Sequence, residues 1–399
     1  MYTDIDLALQ AVMDRKNSVY GLRLFQECLD SLDNPQFDLK CIHIGGTNGK
    51  GSTTNYVRSG LQKEGYRVGS FTSPHLVSHN DRIRINDINI SDEDLLFYIN
   101  QSVKLWDQFS LSMFEIDMLV SIWYFLDQKV DYVVYEVGLG GLLDASNVIQ
   151  PIVSAITNVE LDHMNILGDS VLEIAEQKAG IIKNQSPLFT TETKNEVLDL
   201  FKTHCDRVDT PMHVVEVPSY YRVDKDVFFT HEGIDLQLRN QALYQVSNAT
   251  LATSILKYLG VSDESIAYGI MNTQWAGRFE EILPNIYLDG AHNLIGIEQL
   301  VKSLDGLQRP LTVVFTALKD KDYKPMISLL EENFDNVIIT EFEFYRAESA
   351  ENLAGDHKVR IIKNWKDALD EITKEDLTGT KFVTGSLYFI SDARAYLKK

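Results

Sequence analysis

Cysteine is scarce in this chain. Cys28, Cys41 and Cys205 are odd in number and scattered over 399 residues. No spacing among them suits a metal site or a redox pair, so reduced thiols in a cytoplasm are expected rather than a disulfide framework. Basic residues are also short. Lys and Arg number 37 against 58 Asp and Glu, a formal net charge of −21. That balance argues against a general nucleic-acid or anionic-membrane binder, while leaving room for a local basic pocket with an anionic ligand. No apolar run reaches the roughly 20 residues of a membrane span. Residues 1–6 lack the basic and then apolar segments of a secretion signal. There is no repeat and no low-complexity linker. What is present is 44% hydrophobic and 24% charged residues, as in a globular protein. The length exceeds one ordinary core, so two domains are expected.

The stretch Gly46-Thr47-Asn48-Gly49-Lys50-Gly51-Ser52 organises the rest. The apolar run 41–44 before it reads as a buried strand, and 53–61 after it as a helix. Glycines let backbone N–H groups close around oxygens, and a helix N-terminus adds partial positive charge. Lys50 adds a full charge on a flexible stem, suited to β- and γ-phosphates. The spacing departs from G-x-x-x-x-G-K-[ST], because Ile44 takes the place of the first glycine and Gly51 separates Lys50 from Ser52. An ordinary Gly- and Asn-rich turn accounts less well for the lysine, the hydroxyls and the flanking elements together. Nucleoside triphosphate binding is expected.

Apolar strands alternate with helices, the pattern of a mainly parallel α/β sheet. Residues 5–13 and 20–32 are expected as amphipathic helices, and 65–71 lead into a second strand. Residues 91–105 form a helix capped by Ser91. Residues 114–127 are apolar around much of the helix surface and so buried. Strands are expected at 130–137 and 152–158, and a helix at 170–179. Residues 187–240 read as short β-like stretches, and 245–259 and 263–272 as helices. After Pro284-Asn285 the pattern restarts, with strands near 285–289, 311–316, 337–340 and 381–384. The expected domains are residues 1–283 and a smaller α/β domain, 284–399.

Glu136 ends a strand at the sheet edge where α/β ligands bind, placed to hold Mg²⁺ beside the cradle. The ordinary alternative is a capping or solvent-facing carboxylate. Gly138-Leu139-Gly140-Gly141 has the wrong spacing for a dinucleotide fingerprint. His163 lies in the loop after the next strand and is a metal candidate at the same edge. Ser52 and Ser73 compete to supply a hydroxyl. Lys178, taken alone, reads as a helix-terminus cation. Arg278 and the Asp289–Asn293 motif flank the restart.

Those motifs, with Thr72–Leu76, Glu136–Asn147, Leu161–His163, Lys178–Lys183, Gly277–Glu280 and Thr384–Tyr388, form an ordered set over nearly the whole chain. The set resembles the folylpolyglutamate synthase and dihydrofolate synthase family of the Mur ligase superfamily. The resemblance implies an N-terminal P-loop Mur-ligase-type ATPase domain with a folate-binding loop, and a Rossmann-like C-terminal glutamate-ligase domain. It implies an ATP-dependent ligase adding L-glutamate to a folate, or to dihydropteroate, through an acyl phosphate. By the same resemblance Thr47, Asn48, Gly49, Lys50, Gly51 and Ser52 contact the nucleotide, with Asn248, Arg278 and Asp289. Ser73, Glu136, His163 and a carbamylated Lys178 hold two Mg²⁺ ions, and a monovalent cation is admitted. His292 and Ser386 stand near phosphate or the incoming glutamate. The acceptor side matches Gly21, Arg23, Arg82, Ser112, Phe114, Glu115, Asp144 and Ala145. A cytoplasmic monomer acting on small molecules is expected, with no nucleic-acid or membrane partner.

Three positions depart from the family pattern. Leu142 stands where Arg is usual, Asp81 where Glu is usual, and Leu294 where Pro is usual. The first two lie on the acceptor side. About 45 residues precede the cradle, too few for the UDP-sugar domain of cell-wall Mur ligases. The competing reading of another class is a P-loop ATPase switch, in which hydrolysis needs neither folate nor glutamate.

Overall fold

The structure is a computed structural model that describes residues 1–15, 21–273, 275–374 and 378–398. The chain divides into two compact units. One comprises Met1–Tyr220, Phe228–Gln237 and Ser247–Thr273, the other Tyr221–Val227, Leu238–Val246 and Gln274–Lys399.

The sheet of the first unit contains β1 (Cys41–Gly45), β2 (Val68–Phe71), β3 (Ile83–Ile85), β4 (Ile88–Asn89), β5 (Tyr132–Glu136), β6 (Pro151–Ile156), β7 (Leu188–Thr190) and β8 (Met212–Val214). Their order is β4-β3-β2-β5-β1-β6-β7-β8. Only the β2–β3 and β3–β4 pairs are antiparallel. Ile42, Ile44, Val133, Val134 and Tyr135 are fully buried, as a parallel sheet covered on both faces requires. The helix Met113–Asp127 puts Ile116, Met118, Leu119, Ile122 and Phe125 into one core with Phe71, Val133 and Tyr135. The helix Val171–Ala179 adds Ile174 and Ala175 to another, with Val137, Ile156 and Val159.

Register then fixes the site. Ile44 lies beside both Glu136 and Ala155, and Phe71 beside Tyr135. The carboxyl ends of β2, β5, β1 and β6 therefore share one edge, the edge at which open α/β sheets bind ligands.

A three-stranded sheet of β9 (Tyr220–Val223), β10 (Asp226–His231) and β11 (Ile234–Leu238) follows in sequence. The remaining strands are β12 (Glu280–Leu283), β13 (Ile286–Leu288), β14 (Leu311–Phe315), β15 (Asn336–Glu341), β16 (Arg360–Asn364) and β17 (Thr380–Thr384). They form one sheet in the order β12-β13-β17-β14-β15-β16. It is parallel except for the β12–β13 hairpin.

Local expectations differ from this fold in four places. Pro284-Asn285 is the turn of the β12–β13 hairpin, with Asn285 at φ 60°, so strands of one sheet stand on both sides of it. Residues 187–240 contain a helix, Asn195–Arg207, as well as strands. The strand β16 went unread because most of its side chains are exposed. Of the helix expected at 20–32, the structure shows Arg23–Asp30, and position 20 lies outside the described residues.

Candidate active site

The cradle leaves β1 and enters the helix Lys50–Glu64, which begins at the lysine itself. Gly51 and Ser52 are buried in its first turn. Gly46 and Gly49 have φ of 136° and 88°, values that side-chain-bearing residues rarely adopt. Space forbids a side chain as well. A Cβ on Gly46 would lie 1.8 Å from Thr157 Oγ1, and one on Gly49 2.1 Å from Asn248 Oδ1. Asn248, on the helix Tyr244–Tyr258, is thereby placed against the cradle. The Lys50 ammonium folds back to donate to Gly46 O at 3.1 Å and Thr47 O at 3.2 Å. The N–H groups of Thr47 and Asn48 donate to Asn158 O and Asn158 Oδ1, at 2.9 and 3.0 Å.

Glu136 is buried at the end of β5, and its Oε2 accepts the Ser73 N–H at 3.2 Å. Sheet pairing thus brings the expected serine to the expected carboxylate. In the loop after β6, His163 stands in left-handed backbone at φ 50°. Its N–H donates to Asp162 Oδ1 at 2.8 Å. Lys178 stands in the last turn of its helix, as expected, but is only 3% exposed. Burial first, and then the like charge of Lys50, lowers its pKa to about 7 against the pull of Asp162. At neutral pH a large share of such a lysine is a neutral amine.

Among the described residues no three His, Cys, Asp or Glu side chains gather as a metal site. A cation here would be held by few carboxylates and completed by hydroxyl, phosphate and water oxygens. Mg²⁺ takes that kind of shell, so the residues present fit it.

Most acceptor-side residues are held by near neighbours. Glu115 Oε2 accepts the Ser112 N–H and hydroxyl, closing a capping box at the start of the helix Met113–Asp127. Phe114 packs edge-on against Phe71, with centroids 5.4 Å apart. Asp144 accepts from Ser146 N, Ser146 Oγ and Leu139 N, and burial raises its carboxyl pKa. Ala145, beside it, is buried. Arg82 is buried, donating Nε–H to His75 Nδ1 at 3.1 Å, with Asp117 at 3.8 Å. Burial, Arg82 and His79 lower His75 to about 4, so it stays a neutral acceptor. Burial pushes Asp117 up, but His79 and Arg82 more than offset it and hold the carboxyl below its usual range. Arg23 pairs instead with Glu27 on its own helix, just after Gly21.

In the second unit Asp289 follows β13 and is 2% exposed. It accepts from Tyr244 OH, Phe279 N–H and Ala291 N–H at 2.6, 2.9 and 2.9 Å. Burial lifts its carboxyl pKa above the usual range, against Tyr244 and Arg278. Arg278 is adjacent, because a Cβ on Gly290 would lie 2.6 Å from its NH1. His292 donates Nδ1–H to Gly290 O at 2.7 Å. Ser386 is 1% exposed, and its hydroxyl finds no hydrogen-bond partner among the described residues. Sequence reading missed Tyr244, Thr157, Asn158 and Glu160. None carries a local signal, since their partners are far along the chain.

A family model for the Mur ligase middle domain matches residues 44–256, and one for the Mur ligase glutamate ligase domain matches residues 277–385. The chain is 36% identical to a dihydrofolate synthase/folylpolyglutamate synthase of Bacillus subtilis, over 95% of each chain. It is 32% identical to a folylpolyglutamate synthase of Lacticaseibacillus casei, over 92% of each. Folylpolyglutamate synthase of Mycobacterium tuberculosis, solved with ADP and AMPPCP, matches with a TM-score of 0.89 at 28% identity, covering 99% of both chains. A Thermotoga maritima folylpolyglutamate synthase matches with a TM-score of 0.84 at 32% identity, covering 99% of this chain and 97% of that one. With the cradle, the edge carboxylate and the buried lysine in one compact unit, and both family models matched in order, this chain belongs to the folylpolyglutamate synthase and dihydrofolate synthase family of Mur ligases.

Proposed function

We propose that this protein is an ATP-dependent amide ligase that joins L-glutamate to the terminal carboxylate of a folate. A carboxylate oxygen of the acceptor takes the γ-phosphoryl group and ADP leaves. The glutamate nitrogen attacks the acyl carbon, loses a proton, and phosphate departs. The observation that carries the reading is Glu136, bonded to Ser73, at the end of the strand beside the one that runs into the Lys50 cradle, with Lys178 buried within reach of the Lys50 charge.

Each side chain then has a physical task. Residues Thr47 to Ser52 and Asn248 shape the nucleotide site, and Lys50 moves from the loop carbonyls to the phosphates. By the family resemblance Arg278 and Asp289 are assigned to the nucleotide, and His292 and Ser386 to glutamate or phosphate. Ser73 and Glu136 would hold one Mg²⁺, and His163 with Lys178 the second. When bound, these ions neutralise charge on the phosphates as it shifts. Lys178 suits carbamylation, because the neutral amine that burial favours is the form that adds CO₂. The carbamate turns a cation into an anionic oxygen donor. Arg82, Phe114, Asp144 and their neighbours shape the acceptor side.

A phosphate-release assay with ATP, glutamate and either tetrahydrofolate or dihydropteroate tests this. Release that needs glutamate and one acceptor supports a ligase, and the acceptor that works names the activity. Release that needs neither would establish the ATPase-switch reading instead.

A further inference from the structure

The turn of the cradle is held less by its own residues than by the loop that follows β6. Asn158 receives the Thr47 N–H on its carbonyl and the Asn48 N–H on its side chain. The Asn48 carbonyl accepts from Asn158 Nδ2 at 3.1 Å and Thr157 Oγ1 at 2.6 Å. The Thr47 hydroxyl accepts the Glu160 N–H at 3.0 Å. Residues 157–160 thus set the shape of residues 47–48. They are irregular backbone themselves, tied to β1 by the Thr157 N–H, which donates to Gly45 O at 3.0 Å.

What fixes them is the segment after β7. Glu192 is 2% exposed. Its Oε2 accepts the Val159 N–H at 2.7 Å. Its Oε1 accepts the N–H groups of Thr193 and Lys194 at 2.7 and 2.9 Å. Lys194 Nζ donates to Val159 O at 2.9 Å and to Glu160 Oε1 at 2.7 Å. Thr191 Oγ1 donates to Thr157 O at 2.8 Å. A carboxylate taken out of water needs such donors to be tolerated. Its charge-assisted bonds are about twice as strong as neutral ones. Three of them come from backbone N–H groups, one of these in the loop that holds the cradle, and the Lys194 ammonium adds an ion pair to Oε1 at 3.5 Å.

We propose that Glu192 is a positioning residue for nucleotide binding. It acts through Val159 and Asn158 to keep Thr47 and Asn48 in the shape that receives the phosphates, and Lys194 reinforces it through Glu160. It touches no substrate. Loosening the chain of bonds lets the cradle sample shapes that do not bind, which weakens apparent nucleotide affinity by the fraction of competent molecules lost. The inference rests on the reading of residues 46–52 as a nucleotide cradle.

The test compares the wild-type enzyme with Glu192→Ala and the isosteric Glu192→Gln. Readouts are KM for ATP, folate and glutamate, kcat, the thermal midpoint, and direct titration with a fluorescent ATP analogue. The expected result is a KM and a Kd for nucleotide raised about tenfold or more in Glu192→Ala, with a smaller rise in Glu192→Gln. The KM values for folate and glutamate are expected to stay within about twofold. Glu192→Gln keeps the shape of the side chain, so it decides the matter if the alanine variant fails to fold. A folded Glu192→Gln that binds the analogue as tightly as wild type overturns the proposal. So does a parallel rise in all three KM values. If wild type binds the analogue but shows no folate-dependent turnover, the ligase reading fails, while weaker binding by the variants still supports the role of Glu192.

Discussion

Lys50 donates to two loop carbonyls, Gly46 O and Thr47 O, and these bonds can be exchanged for phosphate oxygens without disturbing the core. Lys50→Ala is therefore expected to abolish nucleotide-dependent turnover while leaving the thermal midpoint within a few degrees of wild type. Turnover near the wild-type rate would refute the cradle. Glu136→Gln keeps the shape and the Ser73 contact but removes the charge. Turnover should fall by about two orders of magnitude or more, with a changed Mg²⁺ requirement, because metal-stabilised phosphoryl transfer is lost. Lys178→Ala should be inactive and partly rescued by a short carboxylate such as acetate, and wild type should lose activity in CO₂-free buffer. Mass spectrometry finding no carbamate in fully active enzyme would count against that role. The sequence exposes Lys50 because its signal is local, a lysine among glycines between strand and helix. It hides the character of Lys178, because the burial that unsettles its proton comes from packing. It hides Tyr244 more completely, since its partner Asp289 lies 45 residues away.

The helix Lys50–Glu64 carries the cradle at its N-terminus and packs on the helix Asp263–Asn272 where glycine meets glycine. A Cβ on Gly269 would stand 2.7 Å from Gly60 N, and the atom it meets is backbone that cannot swing aside. Gly269→Val is expected to destabilise the first unit by about 1–3 kcal/mol through overpacking. A fall in the urea midpoint together with weaker nucleotide binding would bear this out, and an unchanged midpoint would refute the packing argument. At this scale the buried strands are the readable elements. The apolar runs of β1, β5 and β6 admit few other readings, because strands covered on both faces are continuous in hydrophobicity. The helix Asn195–Arg207 is harder to see. It buries only the narrow stripe Val197, Phe201 and Cys205, and no side-chain cap marks its start. Pro284-Asn285 looks like a domain boundary for the same reason that it makes a good hairpin turn, since proline and asparagine punctuate both.

At the scale of the whole molecule, chain order and strand order disagree most in the second sheet. The strand β17 comes last in sequence yet lies inside the sheet, between β13 and β14. The first sheet has no such debt to the end of the chain, because β1 to β8 are all complete by Val214. During synthesis the first unit's sheet can therefore form while the second remains two separate pieces, β12-β13 and β14-β15-β16, each with an open edge. Such edges are templates for pairing with other chains. Ending the chain at Gly379 should leave a protein whose first unit resists protease and whose second is digested and prone to aggregate. Equal protease resistance in both units would refute it. Residues 380–384 therefore work as the keystone of the second sheet. Until they are made the second unit has no finished interior, and a chain stopped just before them is adhesive rather than merely inactive.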